Sequence, residues 1–230
     1  MKRVLRASLA LGLILTSEFG GFSQIAAAGS PASARLRNLQ IKVRVDNRVD
    51  MPSDGMSKAE EVATQILRHA GVQVLWLDCS STVTTARSQF CDDPLESTDF
   101  MLNFVEEIRP LSPKVSGDTL GFAMVPDGGG QANRAYISNH RAHIVAGDAD
   151  ASPEMVLGIA AAHELGHLLM GLQEHSRSGL MRSQWDAKDL QRAEKGDLRF
   201  TDDQVRQIAS GVRARIAQQN TAQGEALVSH

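Results

Sequence analysis

The sequence predicts an α/β (α+β) fold in one domain: short strands and one early helix, then a long helix buried on all sides, then a small C-terminal helical part. Three observations carry this. Five short segments read as strands, the run from Met155 to Met170 is apolar nearly all round, and 230 residues at 42% hydrophobic suffice for one core. The net charge of −3 and the absence of a basic cluster leave no electrostatic footprint for nucleic acid.

The N-terminus comes first. Lys2, Arg3 and Arg6 make a basic start, Ala7 to Thr16 is apolar, and Ala26, Ala27 and Ala28 are small, the order of a secretory signal peptide over residues 1–28. Cleavage is expected after Ala28, with Ala34 as the alternative. The apolar run is too short to span a bilayer, so no stable membrane insertion is expected after cleavage, and the location is secreted or periplasmic. Cys79 and Cys91, the two cysteines, flank a Ser/Thr-rich stretch and should pair in an oxidising compartment. Closing a loop of about a dozen residues is worth roughly 3 kcal/mol on the chain-entropy model.

The domain is expected over 39–217. Leu39 to Val45 alternates apolar and basic residues as a strand should, and Ser57-Lys58-Ala59-Glu60 reads as a capping box opening a helix to about His69, stopped at Gly71. Val72 to Leu77, Phe100 to Ile108, Thr119 to Val125 and Ala135 to Ser138 complete the strands, the last two around the loop Pro126-Asp127-Gly128-Gly129-Gly130. The buried helix begins well: Ser152 can cap it, Pro153 suits its first position and Glu154 suits the positive end of its dipole. Thr201-Asp202-Asp203-Gln204 opens a further capped helix to about Ala217, and residues 218–230 read as a polar, flexible tail.

The chemistry lies in His163-Glu164-Leu165-Gly166-His167. On a helix, positions i and i+4 stand on one face, so His163 and His167 can point two imidazoles at one zinc ion with Glu164 beside it as general base. A solvated helix could carry such a match by chance, but this helix is apolar around the motif, and buried His and Glu need partners. Gly171 can end the helix in the left-handed region and turn the chain back, bringing His175 within reach as third ligand. Glu174, next door, and Glu194, in a charged stretch further on, are rival third ligands, since imidazole and carboxylate both bind zinc. Beyond them, Ser178-Gly179-Leu180-Met181 offers a tight turn whose methionine could pack beneath the imidazoles.

The stretch HELGHLLMGLQEHSRSGLM resembles the metzincin zinc peptidases, in the matrixin style of writing the site, and also a group of uncharacterised exported bacterial proteins with the same layout. One departure stands out: Met170 and Gln173 occupy the positions where the family's usual spacing places its glycine and last histidine, so Gly171 and His175 come later. The resemblance covers about Leu39 to Trp185. It implies a zincin with a twisted mixed sheet ahead of a long active-site helix, one zinc per chain, Met181 as a structural methionine turn, and a polypeptide substrate. It also implies that the strand Leu120-Gly121-Phe122-Ala123 borders the cleft, with Gly121 and Phe122 in substrate binding by strand addition. The reading is therefore an exported zinc endopeptidase. A zinc-binding module without proteolytic activity and an amidase on cell-wall peptides are the alternatives. His140 and His143 could share a second metal, though such a pair is usually polar surface.

Overall fold

The computed structural model describes residues 39–80, 89–108, 115–116 and 118–228. The expected signal segment lies outside them. Within them no helix is long and apolar enough to cross a membrane.

A five-stranded sheet runs in the order β2-β1-β3-β5-β4. Its strands are β1 (Gln40–Asn47), β2 (Gln73–Asp78), β3 (Asp99–Val105), β4 (Gly121–Ala123) and β5 (Arg134–Ser138). Strands β1, β2, β3 and β5 pair in parallel, and β4 joins β5 antiparallel as an edge. The predicted mixed α/β sheet is therefore present, with β4 shorter than the Thr119 to Val125 expected. The basic residues of β1 have a partner: Lys42 and Arg44 reach the buried Asp99 of β3, at 3.2 and 2.6 Å. Ile41, Val43 and Val45 point the other way, into the core.

Five helices are described: α1 (Ser53–His69), α2 (Asn139–Ala149), α3 (Pro153–Met170), α4 (Ala187–Glu194) and α5 (Asp202–Val228). Helix α1 begins before the expected capping box, leaving Ser57 and Glu60 in its interior, and no side chain caps it. Its first turn is held by packing instead, with Met56 buried and Gly55 close to Met51 and Glu154. Helix α2 was not expected. Ser138 caps it through a 3.1 Å bond from the Arg141 N–H, and Asp150 closes it in the left-handed region.

Helix α3 begins and ends as expected. Ser152 Oγ accepts from the Met155 N–H at 3.1 Å, and Gly171 (φ 68°) caps the far end. Backbones approach it closely on two sides. A Cβ at Gly158 would meet Val62 Cβ of α1 at 2.7 Å, and one at Gly211 of α5 would run into the Leu169 carbonyl. Beside that crossing, Arg215 donates to the carbonyls of Leu168, Ser97 and Ala132 and lies over the Phe100 ring. Helix α5 opens with the expected reciprocal cap between Thr201 and Gln204 and runs beyond Ala217 to Val228. Cys79 and Cys91 are disulfide-bonded, tying the end of β2 to a short 3-10 turn.

Candidate metal centre

His163 and His167 stand one turn apart on α3, with Nε2 atoms 3.0 Å from each other. His175 comes back along the turn after Gly171 and places its Nε2 at 3.4 Å from that of His167. These three residues form a cluster whose ligand atoms all lie within 4.8 Å of one another. Glu174 and Glu194 do not belong to it. Both side chains are exposed, the second at the end of α4.

The backbone fixes which ring nitrogens face inward. His163 Nδ1 donates to the Leu180 carbonyl at 3.0 Å and His167 Nδ1 to the Leu172 carbonyl at 2.8 Å. A carbonyl only accepts, so each Nδ1 carries the proton and each Nε2 presents a lone pair to the centre. Lone pairs at 3.0 Å repel unless a cation stands between them. A shared proton is disfavoured, because burial and the neighbouring imidazoles push His163 down to about 3, and burial pushes His167 down to about 4. Burial lowers His175 as well. Three neutral nitrogen donors oriented by backbone carbonyls fit one metal ion, and zinc takes such a set readily.

Glu164 is buried beside this cluster and faces β4. Burial raises its carboxyl to about 8, although the Ala123 backbone N–H, directed at it, pulls the other way. A Cβ built at Gly121 would lie only 2.7 Å from Glu164 Cδ and would overlap its carboxyl oxygen. The space where a Gly121 side chain would stand is thus taken by the carboxyl of Glu164. Alternation along β4 puts Phe122 on the opposite face from Gly121 and Ala123.

Met181 is fully buried. A Cβ at Gly166 would meet Met181 Sδ at 2.9 Å and Phe200 Cε1 at 2.7 Å, so the thioether lies against α3 between the two histidines. The turn that carries it is held by the Ser176 N–H to the Met181 carbonyl (2.7 Å) and the Leu180 N–H to the Arg199 carbonyl (2.9 Å). The turn after α3 is pinned from the other side by the Gly130 N–H on the Gly171 carbonyl at 3.0 Å and by Gln173 on Val125.

Trp185 was not anticipated from the sequence. Its ring meets His163 edge to face at 5.4 Å, and its Nε1–H donates at 3.0 Å to the same Leu180 carbonyl that His163 uses. A lone tryptophan four residues past a candidate turn was the available signal. His140 and His143 are exposed on α2, and neither joins a metal-capable cluster among the described residues.

A cleft of about 700 Å³ contains the three histidines and Glu164, walled by β4, α2 and the segment from Arg182 to Leu190. No protein-family model matches the chain, and no curated protein matches it. Among solved structures it is similar to an archaemetzincin from Methanopyrus kandleri, at 19% identity and TM-score 0.46 over 77% of this chain and 98% of that one. It is also similar to a zinc-dependent peptidase from Methanocorpusculum labreanum, at 16% identity and TM-score 0.44 over 73% and 99%. Likenesses this distant do not carry function across, so the chemistry of this cleft is derived from its own residues.

Proposed function

We propose that this chain is an exported zinc-dependent endopeptidase that hydrolyses peptide bonds with water, using one zinc ion per chain and Glu164 as general base. The observation that carries the reading is the placement of Glu164. Its carboxyl group adjoins three convergent imidazole nitrogens, in a cleft bordered by a sheet edge. A zinc ion held by His163, His167 and His175 would supply a Lewis acid that polarises the scissile carbonyl and makes water a nucleophile near neutral pH.

The rest falls to the chain's own groups. Glu164 accepts the proton of the attacking water on a carboxylate oxygen and returns it to the leaving amide nitrogen. Burial alone raises this carboxyl, and a zinc cation beside it would favour the carboxylate, the form that accepts a proton. Gly121 leaves the carboxylate room, and the Ala123 N–H steadies its charged form. β4 is the edge strand of the sheet beside the cleft, the place where an extended polypeptide would add, and main-chain bonding of that kind recognises peptides without regard to most side chains. Export is supported by the Cys79–Cys91 bond, which an oxidising compartment preserves.

The test combines metal analysis of purified protein with a peptide-library digest, with and without chelator, on wild type and Glu164→Gln. The expected outcome is one zinc in each form and a loss of about 10²–10⁴ in turnover in the variant, since general-base catalysis supplies a factor of that size. Undiminished hydrolysis in Glu164→Gln would remove Glu164 from the mechanism. Stoichiometric zinc with no hydrolysis by the wild type would leave a binding module.

A further inference from the structure

The wall of the cleft formed by α2 carries a charge arrangement that the hydrolytic chemistry does not use. Helix α2 turns Arg141, Val145, Asp148 and Ala149 towards the cleft, and Ala160 of α3 and Leu190 of α4 line it as well. Val145 and Ala149, both half-buried, offer an apolar strip, while Ala160 and Leu190 are buried. Of the charged groups around it, Arg141 lies 3.8 Å from Asp118, Arg182 is paired with Asp186 and Asp189, and Glu164 faces the Ala123 N–H. Asp148 differs: among the described residues its carboxylate has no ion pair and no side-chain hydrogen bond.

Asp148 also stands where a helix least favours it. It occupies the last turn of α2, where the unsatisfied carbonyls already carry partial negative charge and an acidic side chain is unfavourable. Seven residues of helix, roughly 10 Å at 1.5 Å per residue, separate it from Arg141, so the two charges mark opposite ends of the wall and do not neutralise each other. The unspent charge at the C-terminal end of α2 is negative, and it closes an apolar strip of the kind that aliphatic stems cover.

We infer that this cleft selects a polypeptide with a lysine or arginine side chain next to the scissile bond, its stem along Val145 and Ala149 and its cation on Asp148. Asp148 is then the residue that sets specificity. The inference rests on the reading of the cleft as a peptidase site. A neutral side chain of equal length would cover the strip and leave the exposed Asp148 carboxylate to water, without the ion pair. An acidic one would meet repulsion.

Two measurements on the zinc-loaded full chain test it. The first compares kcat/KM on peptides carrying lysine, norleucine or glutamate in turn at each position flanking the cleaved bond. Wild type should favour lysine over norleucine by about fivefold or more at one position, the scale of a partly exposed ion pair. The difference should lie in KM. In Asp148→Asn the ratio should fall to about one, and in Asp148→Lys glutamate should overtake lysine, with zinc content and melting temperature reporting that each variant is folded. The second measures binding of Nα-acetyl-lysine hydroxamate and Nα-acetyl-norleucine hydroxamate by calorimetry, which needs no turnover. Cleavage without a lysine preference, or a preference that survives Asp148→Asn, would overturn the inference while leaving the peptidase reading intact. A lysine hydroxamate preference that depends on Asp148, in a protein that cleaves nothing, would do the reverse. If neither hydroxamate binds, the inference is wrong.

Discussion

His163 and His167 sit on a helix buried on every side, whereas His175 stands on an exposed turn. The helical pair has each Nδ1 tied to a backbone carbonyl and its rings fixed by neighbours, His163 by the edge of Trp185 as well. Among the described residues, the ring and hydrogen-bond contacts of His175 are with the other two imidazoles. The difference teaches how such a centre divides its work. Two donors are preorganised by the fold and carry the cost of burial, and the third arrives on a segment that can adjust. An extra residue or two in the turn after Gly171 is therefore tolerable at the third ligand and would not be tolerable between the first two, where helix geometry sets the spacing.

The largest effect expected from breaking this comparison is on metal affinity. His163→Ala or His167→Ala should abolish stoichiometric zinc binding, because each removes a preorganised donor and leaves two lone pairs without a closed set. His175→Ala should weaken zinc sharply, though less than either of those, since the remaining pair keeps its orientation. Glu174→Ala should change little. Competition against a chromophoric chelator ranks all four, and a larger loss in Glu174→Ala than in His175→Ala would transfer the third position to the carboxylate.

A smaller effect, on turnover more than on binding, is expected at Gly121. A methyl group there overlaps the Glu164 carboxyl, so Gly121→Ala must displace either β4 or that side chain. Zinc affinity should stay within about threefold of wild type while kcat falls by about 10-fold or more, the scale on which misplacing a catalytic group by about 1 Å is felt. A kcat equal to wild type would mean that the edge strand yields at little cost.

Much of this was legible in the sequence, for physical reasons that differ from element to element. The helix α3, both its caps and its two convergent histidines could be read because a buried helix with a Ser-Pro-Glu start and a glycine stop satisfies several local rules at once. The third candidate donor was legible in kind, but that His175 joins the cluster and Glu174 and Glu194 stand outside it could be seen only in three dimensions. Helix α2 was missed because just Ala142 and Ala146 are fully buried and its remaining face is polar, although Ser138 and the spacing of Ala142, Val145, Ala146 and Ala149 were its signal. The start of α1 was misplaced because Ser57 and Glu60 match a cap while tertiary packing of Met56 decides where the helix begins. Gly121 and Gly166 were visible as glycines, but what each makes room for lies far along the chain, Glu164 in one case and Met181 with Phe200 in the other. Trp185 belongs with them, since its role is a shared carbonyl acceptor that no local pattern encodes.

The smallest effect, and the one that separates the buried pair from the exposed donor most directly, is the pH dependence of stability in the zinc-free protein. His163 and His167 titrate at 6.5 in the unfolded chain but are pushed down to about 3 and about 4 when folded, so between those limits the unfolded state binds more protons. Their contribution is present above about 6.5 and is lost as the pH falls towards their folded values. Glu164 runs the other way. Its ordinary value is 4.5 and its folded value about 8, so it favours the folded state at low pH and loses that contribution as the pH rises to about 8. Glu60, raised by burial and by Asp78 to about 7, adds to the same alkaline limb. The two limbs balance near pH 5.5, where the sum is a maximum. Urea midpoints of chelator-treated protein at pH 4, 5.5 and 8 should show it, and Glu164→Gln should flatten the alkaline limb and move the maximum to higher pH. The acid limb should weaken in His163→Gln and His167→Gln and stay nearly as steep in His175→Gln, whose partly solvated ring gains least from being neutral. Equal flattening by all three histidine variants would mean that His175 is as firmly enclosed as the helical pair, and the division between fixed and adjustable donors would fall.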